Sequence, residues 1–293
     1  MVKKKILILG KNGQLGHALI KNMQKKHSLV SLNKTTGNIM NDKLIEKWII
    51  KFNPDFIINA AAYTNVEKAE TNKTEAYNVN SKAVLNLSKL SKKYDCTLIH
   101  FSTDYVFDGN ETKLYETTDI PNPINVYGKS KLQGEINIQR TNNKFYIIRV
   151  SWLLSENKNS FISKISKLML ENTKLNIVDD QKGSPVSSDY VAKVCNKLIL
   201  KEKHKYNQIF HLSTKGNVSW YEIVLHLQNK IPFFKKSCKI FPINSYEFKS
   251  NVNRPKNSLL NHQKIKNYLN LNIPDWKTDI DPIIQEIRKR IID

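Results

Sequence analysis

The sequence predicts an α/β protein with a Rossmann-type, doubly wound parallel sheet and a smaller C-terminal lobe. Short apolar runs alternate with amphipathic helical stretches over residues 1–150, and this alternation is typical of a sheet built from βαβ units. The apolar runs are continuous, which fits strands that are covered on both faces. A glycine-rich turn follows the first run, as it does in doubly wound nucleotide-binding folds.

The elements of this half of the chain follow in order. We predict strands at the β-rich apolar runs and helices where apolar residues recur at three- and four-residue steps. The predicted strands are Lys5–Leu9, Leu29–Leu32, Asp55–Ala60, Thr97–Phe101 and Phe145–Val150. The predicted helices are Gln14–Lys25, Leu44–Lys51, Lys73–Lys92 and Lys129–Arg140.

The pattern is looser after residue 150. Phe161–Leu170 and Asp189–Leu200 have helical spacing, and Ile209–Leu212 has the character of another core strand. From Ser219 onward, helical stretches are mixed with five prolines. We therefore expect this tail to form a smaller lobe over the carboxyl edge of the sheet.

The charge is the unusual feature of the composition. The chain has 47 Lys+Arg against 26 Asp+Glu, for a formal net charge of +21. Only five of the basic residues are arginines, and the lysines are spread along the whole chain. Recognition of phosphate and guanine favours arginine, so we expect no nucleic-acid partner.

The sequence shows no pattern typical of a membrane-spanning helix or of a secretory signal peptide. No apolar run approaches the roughly 18 residues that span a bilayer, and the run Ile6–Leu9 is shorter than the ~7–15 residues of a secretory signal. Cys96, Cys195 and Cys238 lie far apart without CxxC spacing, which is typical of free thiols in a reducing compartment. We expect a cytoplasmic protein with no membrane partner, disulfide or metal site.

The glycine-rich turn reads Gly10-Lys-Asn-Gly13-Gln-Leu-Gly16 and joins the first predicted strand to the first predicted helix. Glycines in such a turn permit a sharp bend, close approach of the backbone to a pyrophosphate, and tight packing of helix on strand. The helix then offers unpaired N–H groups and its positive dipole end to the phosphates. The turn therefore predicts dinucleotide binding.

These features divide the chain. We expect a dinucleotide-binding Rossmann domain and a substrate-binding lobe that share one compact body. The Rossmann domain is predicted over residues 1–150 with returning segments near 187–214, and the lobe over 151–186 and 215–293.

The end of the second predicted strand bears on the choice of cofactor. Asn33 and Lys34 stand where an acidic residue would hydrogen-bond the adenosine ribose and repel a 2′-phosphate. A neutral amide followed by a cation tolerates a 2′-phosphate, so we expect NADPH as cofactor, with NADH also accepted. A loop lysine without cofactor contact is the alternative for Lys34.

Two more strand ends meet at the same edge of the sheet. The third predicted strand leads into Asn59-Ala-Ala-Ala62-Tyr63, whose small side chains leave room for a flat ligand or simply permit tight packing. The fourth leads into Ser102-Thr103-Asp104. Hydroxyl and carboxylate groups at a strand's carboxyl end lie where open α/β sheets bind their ligands.

A tyrosine and a lysine stand four residues apart at the start of a predicted helix. This spacing puts Tyr127 and Lys131 on one helical face. The ordinary pKa of a tyrosine is about 10, and a nearby ammonium favours release of its proton. The pair therefore indicates acid–base chemistry at this helix.

The motifs carry a resemblance to a known family. The chain resembles the extended short-chain dehydrogenase/reductases and, among them, the dTDP-4-dehydrorhamnose reductases, over nearly its whole length. The segments that carry the resemblance are Gly10–Gly16, Asn59–Glu70, His100–Phe107, Asn125–Glu135, Arg149–Leu153, Asp180–Pro185 and Arg254–Leu259.

The resemblance implies an oxidoreductase of dTDP-rhamnose and polysaccharide biosynthesis. It implies reduction of the 4-keto group of dTDP-4-dehydro-β-L-rhamnose to dTDP-L-rhamnose by hydride transfer from NAD(P)H. Tyr127 is then the proton donor, Lys131 holds the nicotinamide ribose and lowers the tyrosine pKa, and Thr103 polarises the carbonyl. The residues expected at the dTDP-sugar are Thr103, Asp104, Trp152 and Arg254. The residues expected at the cofactor are Gly10, Gly13, Gln14, Leu15, Gly16, Asn33, Lys34, Asn38, Ile39, Ala61, Ala62, Tyr63, Phe101, Tyr127 and Lys131.

Individual residues distinguish the expected reduction from the other activities that similar proteins have. Related sugar dehydratases carry Thr-Asp-Glu for elimination, whereas this chain has Thr103-Asp104-Tyr105, so carbonyl reduction is favoured. One alternative is a non-catalytic NADP-binding regulatory subunit similar to the β-subunit of methionine adenosyltransferase, and another is a reductase of a different dTDP-4-keto-6-deoxy sugar. Some similar proteins dimerise through magnesium on surface glutamates, but Ala18 stands at such a position. We therefore expect no bound metal. The sequence does not decide between a monomer and a homodimer.

Overall fold

The computed structural model describes residues 3–292, in which strands and helices alternate. The strands are β1 (Lys5–Leu9), β2 (Ser28–Leu32), β3 (Phe56–Asn59), β4 (Thr97–Thr103), β5 (Phe145–Val150), β6 (Leu153–Leu154), β7 (Lys174–Val178), β8 (Lys182–Gly183), β9 (Val186–Ser187), β10 (Gln208–Leu212), β11 (Val218–Ser219), β12 (Lys239–Ile243) and β13 (Asn257–Ser258). The helices are α1 (Gln14–Met23), α2 (Asp42–Phe52), α3 (Val66–Thr71), α4 (Lys73–Tyr77), α5 (Ala83–Lys93), α6 (Val126–Thr141), α7 (Phe161–Glu171), α8 (Ser188–Ile199), α9 (Trp220–Lys230), α10 (Pro232–Ser237), α11 (Gln263–Leu269) and α12 (Trp276–Ile292).

The predicted parallel sheet is confirmed. Its strand order is β2-β1-β3-β4-β5-β10, and every neighbouring pair is parallel. The direction of chain progression reverses between β1 and β3. The crevice outside the carboxyl ends of these two strands is therefore the place where an open α/β sheet binds its ligand.

Strand β1 shows why its apolar run is continuous. Ile6 and Ile8 pack into the core on the side of α1 and α8, whereas Leu7 and Leu9 pack into the core on the side of α2 and α5. All four side chains are fully buried. Because successive residues of a strand point to opposite faces, a strand covered on both sides needs apolar residues at every position.

The predicted helix Lys73–Lys92 forms with an interruption. A π-helical turn over Asn78–Lys82 separates α4 from α5. Opposite this turn lies Gly134 of α6, where an added Cβ would overlap the carbonyl oxygen of Asn80. The π turn thus brings the backbone of Asn80 against the helix that carries Tyr127 and Lys131, and π turns are frequent at functional sites.

The C-terminal part packs around a second core, to which α7, α9, α10 and α12 contribute. Short strands join these helices, including the parallel pair β7 and β12. Helix α11 packs elsewhere, because Ile265 and Leu269 lie in the sheet core with α1 and α8. The division of the chain into two domains stays a prediction. Within residues 3–292 no helix is both long and apolar enough to cross a membrane.

Candidate active site

The glycine turn is pressed against the ends of two neighbouring strands. Gly10 has φ +88°, and an added Cβ would lie 2.7 Å from the carbonyl carbon of Ala60 and from the nitrogen of Ala61. The backbone N–H groups of Gly10 and Lys11 donate to the carbonyl of Leu32 at 2.9 and 3.0 Å. The turn therefore sits at the switch point of the sheet.

The helix that follows the turn is open at its start. Gly13 stands at the N-cap of α1 and gives it no side-chain hydrogen bond. The first N–H groups of a helix need acceptors from outside it, and a pyrophosphate supplies them together with the matching charge. The residues present thus fit the phosphates of a dinucleotide.

Gly10 offers a test of this local fit. We expect Gly10→Ala to lower the free energy of unfolding by about 2–4 kcal/mol, because the variant combines a left-handed backbone with a clash against rigid main chain. Gly13→Ala is the matched control: its φ is −77°, and the nearest atom to its added Cβ is 3.4 Å away. Urea unfolding of both variants measures the difference. Equal losses would contradict the assigned strain.

The residues after β2 form a compact turn. The Oδ1 atom of Asn33 accepts hydrogen bonds from the backbone N–H groups of Thr35 and Thr36 at 3.1 and 2.9 Å, and from the Thr36 hydroxyl at 3.0 Å. This oxygen is thus occupied as an acceptor, which leaves the amide NH₂ as the group Asn33 can present to a ligand. The neighbouring Lys34 is exposed. Both groups are donors, as a 2′-phosphate requires.

The segment after β3 is held by buried amides. Asn59 Oδ1 accepts from the backbone N–H of Ala61 at 3.1 Å. The side chain of Asn80 binds both the N–H and the carbonyl of Tyr63, at 2.9 and 3.0 Å, and donates to the hydroxyl of Ser130 at 3.0 Å. The predicted cofactor residues Ala61, Ala62 and Tyr63 are therefore fixed relative to α6.

The end of β4 brings three predicted residues together. The Thr103 hydroxyl donates to Asp104 Oδ1 at 2.9 Å, and the Tyr127 hydroxyl lies close enough to Thr103 and Asp104 for both side chains to affect its pKa. Thr103 and Asp104 are both buried. Burial raises the pKa of Asp104 to about 6, against the opposing effect of the nearby Ser258 and Thr103 hydroxyls.

Helix α6 begins three residues before its predicted start, so that Tyr127 lies in its first turn. The side chain of Asn125 caps it by accepting from the N–H of Gly128 at 2.8 Å. The carboxylate of Glu70 accepts from the N–H of Val126 at 2.7 Å. Two side chains from outside the helix therefore fix the turn that carries Tyr127.

Tyr127 is held as a neutral phenol. Burial raises its pKa above the ordinary value, and the charge of Asp104 acts in the same direction. Lys131 lies instead against the carbonyl of Phe101, to which Nζ donates at 2.6 Å, and burial lowers the lysine pKa to about 8. The expected lowering of the Tyr127 pKa by Lys131 is thus absent from this structure. A protonated phenol is the state a proton donor needs at the start of a reaction.

Arg254 reaches the site through Tyr105. Its Nη1 donates to the Tyr105 hydroxyl at 3.3 Å, and its Nη2 donates to Glu67 Oε1 at 2.9 Å. The ring of Tyr105 meets that of Tyr127 edge-on, with centroids 5.7 Å apart. A guanidinium therefore stands one side chain away from Tyr127, and the role of Arg254 in substrate binding stays a prediction.

Trp152 lies in the core of the lobe. It has φ +46° and is 8 % exposed. One ring face stacks on Trp220 at a centroid distance of 3.7 Å, and Gly183 is so close to the ring that an added Cβ would lie 2.6 Å from it. The structure thus gives Trp152 a packing role, and its contact with a sugar stays a prediction.

The remaining predicted residues fall near the glycine turn or the neighbouring loop. Gln14 Oε1 accepts from the Ser155 hydroxyl at 2.7 Å, Leu15 is buried beside α8, and Ile39 is buried beside β2. The Oδ1 atom of Asn38 accepts from the N–H of Met40 at 3.0 Å, so this amide too serves its own turn.

A groove of about 1320 Å³ lies between α1, α8, α12 and the segment 155–159. Of the predicted site residues, Gln14 lines this groove and Tyr127 does not. Within residues 3–292 no group of three or more His, Cys, Asp and Glu side chains is placed to hold a metal.

Sequence reasoning missed several residues that shape the site. Asn80, Glu67 and His100 each contact a predicted residue. None of the three has a role predicted from the sequence, although Glu67 and His100 lie within segments that carry the resemblance. His100 offered one signal: an ionisable residue inside an otherwise apolar strand must have a partner. Its partners are Asn59 and Lys131.

Comparison with known proteins agrees with this geometry. The family model of the RmlD substrate binding domain matches residues 4–289. The chain is 33 % identical to the dTDP-4-dehydrorhamnose reductase of Aggregatibacter actinomycetemcomitans over 93 % of this chain and 96 % of that protein. It is 30 % identical to the spore coat polysaccharide biosynthesis protein SpsK of Bacillus subtilis over 96 % and 97 % of the two chains.

A solved structure agrees as well. The dTDP-4-dehydrorhamnose reductase of Bacillus anthracis, in complex with NADP, superposes with a TM-score of 0.91 at 30 % identity, covering 97 % of this chain and 100 % of that one. The resemblance stated from the motifs is thereby confirmed. The chain belongs to the RmlD substrate binding domain family.

Proposed function

We propose that this protein is an NADPH-dependent reductase that converts the 4-keto group of dTDP-4-dehydro-β-L-rhamnose to the alcohol of dTDP-L-rhamnose. One observation carries the proposal: Thr103, Tyr127 and Lys131 come together at the carboxyl edge of the sheet, beside a turn that fits dinucleotide phosphates. The named activity of the relatives supports the choice of sugar.

The chain's own groups supply a proton and stabilise charge. When bound, the nicotinamide cofactor supplies a hydride to C4 of the sugar. The carbonyl oxygen then gains negative charge, and Tyr127 donates its phenolic proton to that oxygen. The Thr103 hydroxyl donates to Asp104 in this structure, and by rotating it can donate to the carbonyl oxygen of the sugar instead. Hydrogen-bond donors that are fixed in advance at such an oxygen account for much of the rate of carbonyl reactions.

Lys131 acts behind the tyrosine. Because its pKa is about 8, the ammonium predominates at pH 7. In that state it can hold the nicotinamide ribose and stabilise the phenolate that remains on Tyr127 after proton transfer.

Asn33 should set the choice between the two nicotinamide cofactors. We expect Asn33→Asp to lower kcat/KM with NADPH by about tenfold relative to NADH, which corresponds to ~1.4 kcal/mol of repulsion. The aspartate can keep the turn, since its oxygens accept from the same N–H groups. Asn41→Asp, which adds the same charge at the N-cap of α2, is the control. An unchanged cofactor ratio would show that Asn33 does not face the 2′ position.

The reaction itself can be followed at 340 nm. NADPH should be oxidised by the purified protein when dTDP-4-dehydro-β-L-rhamnose is added, with a product that matches dTDP-L-rhamnose. If NADPH were oxidised only with a different dTDP-4-keto-6-deoxy sugar, that sugar would replace dTDP-4-dehydro-β-L-rhamnose as the proposed substrate. Binding of NADPH without oxidation of any such sugar would favour a regulatory subunit.

The cellular compartment and the partners of the protein are also proposals. Cys96, Cys195 and Cys238 are all buried free thiols, which supports a reducing, cytoplasmic compartment. The partners we propose are the dTDP-sugar and the cofactor, without nucleic acid, and sedimentation equilibrium would decide between a monomer and a homodimer.

A further inference from the structure

A buried chain of hydrogen bonds leads from the segment after β3 to Lys131. The backbone N–H of Ala61 is bound to Asn59 Oδ1 at 3.1 Å. Asn59 Nδ2 lies 3.0 Å from His100 Nδ1, and His100 Nε2 lies 3.3 Å from Lys131 Nζ. Asn59 is 1 % exposed, His100 0 % and Lys131 2 %. Water therefore does not compete for these groups.

The first link determines the direction of the others. A backbone N–H can only donate, so the amide oxygen of Asn59 must face Ala61 and the amide NH₂ must face His100. His100 Nδ1 is then an acceptor. A neutral imidazole with an acceptor at Nδ1 carries its proton at Nε2. Burial and the charge of Lys131 hold the pKa of His100 well below its ordinary value, so the ring is neutral.

The Nε2–H group therefore points at Lys131 Nζ. An ammonium has three donors and no acceptor, whereas a neutral amine has one lone pair that can accept. The carbonyl of Phe101 already takes one N–H of Lys131 at 2.6 Å. A donor that faces Nζ from His100 thus favours the neutral amine and opposes the ammonium.

The charges around Lys131 come from three elements. Glu135 lies one turn further along α6 and favours the ammonium, but Arg149 of β5 binds its carboxylate at 2.7 Å. Tyr127 precedes Lys131 by one turn and is neutral. Of these titratable groups, His100 of β4 is the one in direct contact with Nζ, at 3.3 Å.

We propose that His100 is a positioning residue that holds Lys131 at the carbonyl of Phe101 and disfavours its ammonium until a bound cofactor draws Nζ away. The inference rests on the proposed function, since it assumes that Lys131 meets the cofactor. The phosphates of NADPH are anionic and favour the ammonium. Binding of the cofactor should therefore be accompanied by uptake of a proton at Lys131.

The test is the pH dependence of NADPH binding, without any sugar present. With a pKa of about 8 for Lys131 in the free protein, we expect Kd to rise about tenfold between pH 7 and pH 9, as linkage requires. Calorimetry in two buffers of different ionisation enthalpy should show uptake of about 0.8 proton at pH 8.5.

Two variants of His100 separate its two hydrogen bonds. His100→Asn keeps an acceptor for Asn59 but does not reach Lys131, so the rise in Kd should be smaller than tenfold, with burial of Lys131 maintaining the remainder. His100→Gln places an amide NH₂ near the position of Nε2, so the tenfold rise should be retained. If His100→Asn does not fold, Asn59→Asp serves instead: its second oxygen accepts from Nδ1, which moves the ring proton away from Nε2 and should likewise flatten the pH dependence.

The outcomes are distinct from failure of the proposed function. Absence of NADPH binding in the unaltered protein would overturn the function itself. Normal NADPH binding with the same tenfold rise in His100→Asn, or equal behaviour of His100→Asn and His100→Gln, would overturn the role of His100.

Discussion

Replacing Tyr127 by phenylalanine is expected to lower kcat by about 10²- to 10⁴-fold, the contribution typical of a positioned proton donor. The phenol is kept protonated by burial and by the charge of Asp104, and it is the group that can give a proton to the new alkoxide. The Kd of NADPH should stay within about twofold, because the variant removes one oxygen and no charge. Stopped-flow absorbance at 340 nm measures the first quantity, and cofactor fluorescence the second.

Tyr105→Phe is the matched control. It removes a buried phenolic hydroxyl from the ring that lies edge-on against Tyr127, and the hydroxyl it loses accepts from Arg254. We expect a raised KM for the sugar with kcat within a few-fold of the unaltered protein. A comparable loss of kcat in both variants would mean that packing of the ring pair, rather than proton donation, limits turnover.

The sheet could be predicted because its strands are buried on both faces. In β1 and β3 the buried runs Ile6–Leu9 and Phe56–Ile58 are apolar at every position, so the sequence pattern and the burial coincide. The same reasoning fails in the lobe, where β6, β8, β9, β11 and β13 have two residues each. Two residues show no periodicity, and their pairing depends on segments that are distant in the sequence.

Helix boundaries near the site were less predictable for a different reason. The start of α6 depends on the carboxylate of Glu70, which is 56 residues away from Val126 in the sequence. The π turn before α5 depends on the missing side chain of Gly134. Both are tertiary effects that override local helical spacing.

The sequence predicted the motif residues of the candidate site. It did not predict the residues that contact and position them. Thr103 and Tyr127 lie close together, and their catalytic roles stay predictions. Asn33 stands where predicted, but its oxygen is used by its own turn. His100 lies in a strand whose pattern is otherwise apolar. Its importance follows only from its contacts with Asn59 of β3 and Lys131 of α6.

The buried ion pair behind Lys131 gives the largest expected change in stability. Arg149 binds Glu135 through Nε at 3.0 Å and through Nη2 at 2.7 Å, and neither side chain is more than 3 % exposed. Glu135→Gln removes the negative charge and leaves the guanidinium buried beside neutral His211. We expect the free energy of unfolding to fall by about 3–5 kcal/mol, the usual cost of leaving one buried charge unpaired.

Glu46→Gln is the control for Glu135→Gln, because it breaks an ion pair with Lys93 of equal length, 2.7 Å, in which Lys93 is 63 % and Glu46 29 % exposed. Its unfolding midpoint in urea should be almost unchanged, since exposed pairs contribute little. A double variant, Glu135→Leu with Arg149→Met, should recover much of the lost stability, because it removes both charges. If the double variant is no more stable than Glu135→Gln, then shape and not charge makes this pair necessary. Since Glu135 also favours the ammonium of Lys131, the single variant that still folds should lose more of its affinity for NADPH between pH 6.5 and pH 8 than the unaltered protein does.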